Sequence, residues 1–388
     1  MAPPGWYPDP WNPAGLRWWD GVAWQYHTAP TPLPALAPGR RPWRRFLGSW
    51  IAIGLSAPVV AIIVLVGVIA HPLVLPLAVV PAALLGVSLW WMDRLEPEPT
   101  DARVLAVGWG ATLAPLVAIV VGAAVSLSLG DLAGAVVGAP VSEEAAKGAV
   151  LLVLLRRRLI DSPIDGAVYA VAAAAGFAVV EDIVYFISAA SEGGTGELLA
   201  VFLLRGLLTP FAHPLFSIWM GIAAGWVVVR RPSPALAWGV GVAAWGMAVV
   251  LHAMWNGTLI AAEDLPALLI VVGLLFVALF VAAIVVVVLL RRSQARAFEQ
   301  HVPEIAAITG LDADEAAMFA DTRAYLRQRR ALNARGRRLL GRLRWALHAV
   351  GSLRRVTPRT PAEASDDAAE LAHLRRTVTE LRRQLRST

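Results

Sequence analysis

Residues 265–290 read LPALLIVVGLLFVALFVAAIVVVVLL. The run carries no charge. At 1.5 Å per residue a helix of this length crosses the roughly 30 Å hydrocarbon core of a bilayer. Comparable apolar runs lie near 47–70, 73–92, 104–129, 132–155, 164–188, 208–229 and 235–261. The pattern predicts an all-α, polytopic membrane bundle of about eight spans within residues 46–290. Composition agrees. The 388 residues are 57% hydrophobic and 16% charged, and the mean hydropathy is +0.62. A soluble domain is nearer half apolar and a quarter charged. Disorder is excluded, and a purely soluble protein is disfavoured. Cysteine is absent, which removes disulfides, Cys-ligated metals and a cysteine nucleophile.

The net charge of +6 is unevenly spread. Residues 1–45 carry +3, residues 46–290 carry −6 and residues 291–388 carry +9. Arginines cluster before the first run, after the second, after the fourth, after the sixth and after the eighth. The intervening loops at 71–72, 130–131, 189–197 and 262–264 carry none. By the positive-inside rule both termini are cytoplasmic, and the protein is a multi-pass cell-membrane protein. Arg205 breaks the pattern. It lies in an apolar stretch, 198–208, that reads as a re-entrant or interfacial helix.

The ends have their own character. Residues 1–29 are rich in aromatics around Asp20-Gly21, a hairpin signal between two short strands. They form a Trp-rich mini-domain whose tryptophans serve as its core or dock an extended peptide. Residues 30–45 are a Pro-rich, basic linker. Residues 291–388 form a basic helical tail. Within 366–386, Leu371, Leu374, Val378, Leu381 and Leu385 follow a short coiled-coil seam, suited to a homo-oligomer. Beside a membrane, this basic tail predicts contact with anionic headgroups rather than nucleic acid.

Ionisable groups inside a bilayer cost roughly 2.5–3.5 kcal/mol each on the insertion scale, so each needs a role. Glu143, Glu144 and Lys147, the only lysine of the chain, sit well inside the fourth run. Spacings of i,i+3 and i,i+4 place Lys147 beside both carboxylates. One glutamate is then held anionic and the other is left for acid–base work. The fifth run carries Glu181 and Asp182 after the small-residue stretch 172–176, which lets another helix approach closely. Glu181 is the preferred candidate, and Asp182 points about 100° away, to a cap or loop. His213 lies between two prolines in the sixth run. His252 and Asn256 share a face of the seventh. Counted from the outer ends of their runs, these groups lie roughly 8–18 Å deep and can converge on one outward cavity.

No H-E-x-x-H zinc motif, presenilin-type aspartyl motif, rhomboid-type Gly-x-Ser-Gly or P-loop is present. The order E-E-x-x-K, F-x-x-x-E, His and H-x-x-x-N on successive runs resembles the PrsW family of intramembrane proteases, which is related to the CAAX-prenyl and bacteriocin-processing proteases. The resemblance covers about residues 45–290. The mini-domain resembles a small Trp-rich domain of unknown function found in actinobacterial membrane proteins. The PrsW resemblance implies an endopeptidase acting on a membrane protein such as an anti-sigma factor. It implies roles for Glu143, Glu144, Lys147, Glu181, His213, His252 and Asn256. Asp182 departs from the family, where Asn is common.

Glu144 is expected to take a proton from water as general base. Glu181, His213 and His252 are expected to hold one zinc ion. In a metal-free alternative a glutamate and a histidine activate water, while Asn256 and the other histidine bind the oxyanion. Two further readings compete. A proton-coupled transporter uses the same residue types but calls for inverted repeats. A non-enzymatic scaffold would leave Glu144→Gln silent.

Overall fold

The computed structural model describes residues 3–30, 46–94, 97–262, 264–355 and 361–386. The expected linker beyond Pro30 lies outside the described residues.

The Trp-rich segment forms a three-stranded antiparallel sheet, one strand more than its hairpin signal indicates. Its strands are β1 (Gly5–Asp9), β2 (Asn12–Trp19) and β3 (Trp24–Pro30), in that order. Trp19 pairs with Trp24 across the β2–β3 turn, and their rings meet edge to face at 5.3 Å. Asp20 closes the turn by accepting N–H groups of Val22 and Ala23, each at 2.7 Å. Those bonds, Ala23's first, hold its carboxyl below the usual range. Gly21 supplies the positive φ of 102° that the turn requires.

The other elements among the described residues are helices: α1 (Leu47–Ala70), α2 (Val74–Asp93), α3 (Thr100–Leu129), α4 (Asp131–Ala133), α5 (Ala139–Arg156), α6 (Pro163–Val201), α7 (Ala212–Arg230), α8 (Pro234–Ala261), α9 (Pro266–Thr309), α10 (Ala313–Ala320), α11 (Thr322–Ala331), α12 (Ala334–Arg355) and α13 (Pro361–Arg386). Two π-helical stretches, Gly134–Gly138 and Phe202–Leu208, continue α4 into α5 and extend α6.

Six stretches among the described residues are long and apolar enough to cross a membrane: α1, α2, α3, the 163–230 segment, α8 and α9. The 163–230 segment holds the fifth and sixth expected spans as α6 and α7. The fourth, built around α5, falls outside this set on composition alone, since Glu143, Glu144, Lys147 and Arg156 lie within its 18 residues. The expected outer loop at 189–197 is helical instead. α6 runs on to Val201, interrupted by Gly194 at φ 66°. α9 likewise passes through residue 290, where the tail was expected to begin, and ends at Thr309.

α6 is the central post. It starts at Ser162, whose hydroxyl accepts the Asp165 N–H, with Pro163 in the first turn. Residues 164–178 are all buried, as expected of a helix apolar nearly all round, with Asp165 bonded to the Asp161 N–H and to Gln294. Glycines bring its neighbours to backbone contact. A Cβ on Gly166 or Gly221 would strike the other's carbonyl, which locks α6 to α7. A Cβ on Gly110 would strike the Ala173 carbonyl, and one on Gly176 the Val107 carbonyl, which locks α3 to α6. The small-residue stretch thus does what its composition predicts. At the α2–α3 turn, Asp93 pairs with Arg103 at 2.6 Å, and Tyr169 of α6 donates to Glu98 at 2.7 Å.

Two compact units are present. Pro42–Glu304 with Asp312–Arg327 forms one, and Met1–Arg41, Ile305–Leu311 and Gln328–Thr388 form the other. In the second, α12 and α13 pack on each other. Leu374, Val378 and Leu381 are buried there with Leu340, Leu343, Leu347 and Val350 of α12. The seam read as suited to self-association is covered within its own chain.

Candidate functional site

Four helices bring the polar residues together. α5 supplies Glu143, Glu144 and Lys147. α6 supplies Glu181 and Asp182, α7 His213 and Ser217, and α8 His252 and Asn256. All seven expected site residues converge. The π-helical stretch before α5 sits against α3, since a Cβ on Gly138 would meet Val125 at 2.9 Å. π-Helical turns recur at functional sites because the extra residue re-aims the following helix face. Asn256 anchors this stretch by donating to the Ala135 carbonyl at 3.0 Å. That bond uses one of its two amide N–H donors, and Asn256 also lines the cavity described below.

Lys147 is 1% exposed and sits at the centre. Its ammonium lies 2.5 Å from Glu144 Oε1 and 3.8 Å from Glu143 Oε2. It is 3.1 Å from His213 Nδ1 and 4.4 Å from the Phe177 ring centre. An ammonium only donates, so Nδ1 of His213 is an acceptor and its ring proton sits on Nε2. That nitrogen bonds to Glu181 Oε2. His252 has the opposite tautomer. Its Nδ1 lies 3.0 Å from Glu144 Oε1, so Nδ1 carries the proton and the Nε2 lone pair is free. A carboxylate behind a histidine is the usual arrangement for presenting the other nitrogen to a metal or substrate. Phe216 stacks on the His252 ring at 4.9 Å and helps hold it.

The two adjacent glutamates differ in their surroundings. Glu144 is fully buried. Its Oε1 takes Lys147 and His252, and its Oε2 accepts Ser217 Oγ at 2.7 Å. Glu143 Oε2 is buried without a hydrogen bond and stands 3.7 Å from His252 Nε2. An unsatisfied buried acceptor costs about 1–3 kcal/mol, more for a charged one, so its retention calls for a use. Glu144, the expected base, already takes three donors, whereas Glu143 Oε2 has no hydrogen bond.

Two further expectations change. Asp182 faces neither a cap nor a loop. It is buried and accepts Arg205 Nε at 3.0 Å. Arg205, expected in a re-entrant or interfacial helix, lies on the helical segment after Gly194, and its Nη2 also reaches Glu181 Oε2 at 2.6 Å. Arg205 and Ser217 are site residues that the sequence reading missed. Ser217 stands four residues after His213, and that spacing was a usable signal. A small cavity opens among Glu181, Asp182, Arg205, His213, His252 and Asn256.

The expected metal set was Glu181, His213 and His252. Ligand atoms of Glu143, His213 and His252 all lie within 4.8 Å of one another, whereas Glu181 is engaged by Arg205 and His213. Two imidazoles and a carboxylate are donor types that suit a divalent ion such as zinc, but the His213 lone pair is on Nδ1, where Lys147 donates, so a metal would have to displace that bond.

Residues 98–289 match the model of a family described as PrsW family intramembrane metalloprotease. Residues 4–37 match that of a protein of unknown function (DUF2510). No curated protein and no solved structure matches the chain.

Proposed function

We propose, from the premise that residues 98–289 belong to the PrsW family of intramembrane proteases, that the Glu143–His252 cluster hydrolyses a peptide bond of a membrane-protein substrate. The observation that carries the assignment is the buried, unbonded Oε2 of Glu143. That oxygen engages the attacking water and accepts its proton, then returns it to the leaving amine. Glu144 stays anionic under three donors and fixes both Lys147 and His252. Lys147 and Glu181 together fix the His213 ring.

In an alternative form the same cluster holds a metal. Glu143, His213 and His252 would hold a zinc ion if Lys147 released His213 Nδ1. Glu143 would then be a ligand and not the base, and the ion would polarise the substrate carbonyl and acidify a bound water. Mass spectrometry of the purified protein should find about one zinc per chain, lost in His252→Ala. Full activity after exhaustive chelation, with no metal detected, would establish the metal-free form.

The arginine asymmetry supports cytoplasmic termini and a site opening to the outer side of the cell membrane. The family resemblance favours a substrate of the anti-sigma-factor kind, whose outer portion is clipped. The basic tail fits anionic headgroups. The test is a comparison of membrane-protein fragments between cells carrying the wild type and cells carrying Glu143→Gln. Identical fragments in both would reject the assignment.

A further inference from the structure

Arg205 is the only Lys or Arg between Arg158 and Arg230, yet nothing in the hydrolytic scheme above uses it. Its guanidinium spans two consecutive carboxylates, with Nη2 on Glu181 Oε2 and Nε on Asp182 Oδ1. The same group lies 4.0 Å over the Tyr185 ring, one turn further along α6. This placement is built by the backbone. Gly194, in the left-handed region at φ 66°, breaks α6. The chain then returns as the helical 195–208 segment, whose π-helical end carries Arg205. Thr209 closes that end, its N–H and hydroxyl both reaching the Leu204 carbonyl at 2.9 Å.

We propose that Arg205 is a positioning residue of the peptidase site, pinning the Glu181 carboxylate against His213 so that the imidazole keeps one orientation and one tautomer. The inference rests on the peptidase reading above. Glu181 Oε2 receives both Arg205 Nη2 and His213 Nε2, so the carboxylate is a hinge pin between cation and ring. Lys147 holds the other ring nitrogen. His213 is thus fixed at both ends, and one end depends on Arg205. A planar guanidinium spans two carboxylates at fixed geometry, whereas a lysine ammonium cannot.

The competing role is purely structural, with Arg205 serving only to neutralise Asp182. A double variant separates the two. Activity is read on the membrane protein whose fragment depends on Glu143. Arg205→Gln is expected to lower kcat about 10- to 100-fold, the usual effect of removing an orienting partner, with KM within about threefold. Arg205→Gln with Asp182→Asn removes the charge imbalance and should keep that loss. Recovery of wild-type kcat in the double variant would make Arg205 a mere counter-ion and overturn the proposal. If Arg205→Gln does not fold, Arg205→Lys keeps a positive charge without the fork. Wild-type kcat in that variant would also overturn it.

A readout independent of turnover is the ¹⁵N spectrum of His213 in lipid nanodiscs, assigned with a His213→Gln sample. The wild type should show a single Nε2–H tautomer, and the Arg205 variants an averaged pattern. An unchanged pattern would reject the positioning role. An inactive wild type would count against the peptidase reading, while the ¹⁵N comparison still decides the placement of His213.

Discussion

Glu143 and Glu144 are adjacent in sequence and opposite in consequence. Glu144 takes three donors, so Glu144→Gln leaves Lys147 and His252 short of their anion. Breaking a buried charge pair costs about 3–5 kcal/mol, so this variant should lose both activity and thermal stability. Glu143→Gln removes an oxygen that has no hydrogen bond. It should lower turnover at least about 100-fold, the usual scale for a proton-transfer group, and leave the unfolding temperature within a few degrees. Turnover and detergent-phase thermal unfolding of both variants check the contrast. Equal destabilisation would undo the division of labour. Both glutamates were legible from charge in an apolar run, and their order of importance was not. That order depends on Ser217 and His252, which arrive from helices 73 and 108 positions away. Arg205 was visible as an anomaly but not as a site residue. Its role requires the break at Gly194, and the polar, Gly-rich 191–197 stretch signals an interruption without showing that the chain resumes as a helix aimed at Glu181.

At the scale of elements, the membrane helices were readable because lipid demands long apolar runs. The misreadings fall where function interrupts that rule. α5 interrupts its apolar run with charges because it carries the site, and the 189–197 segment is helical on both sides of Gly194 despite its polar residues. The π-helical stretches have no sequence signature and emerge only from packing on α3 and α6. Glycine contacts offer a test of which helix pairs frame the site. Gly221→Ala would drive a methyl into the Gly166 carbonyl and should cost about 1–3 kcal/mol as overpacking. Gly241→Ala on α8 meets nothing within 4 Å and should be neutral or slightly stabilising. Melting curves of the two purified variants distinguish them. Similar curves would mean that the α6–α7 contact does not set stability.

For the whole molecule, orientation and the tail invite direct measurement. A phosphatase reporter, active only outside the cell, fused after Gly310 should be inactive there, and a cytoplasmic reporter at the same point active. The reverse result would invert the reading of the arginine pattern. A chain ending after Arg327 removes α12 and α13, whose leucine seam is already covered within the chain. It should keep peptidase activity, and a folded, inserted but inactive product would tie the tail to catalysis. The glycine-locked pair brings a last consequence. In the most apolar 18-residue window of 163–230, 67% of residues are buried inside the protein, against 11% in that of α8. The chamber therefore has one wall packed within the protein and one that faces mostly outward, and the outward-facing helix bears His252. A helix with few protein neighbours takes its setting from the surrounding lipid, so turnover is expected to depend on bilayer thickness. In vesicles of increasing acyl length the rate should pass through a maximum, and a rate independent of acyl length would reject this.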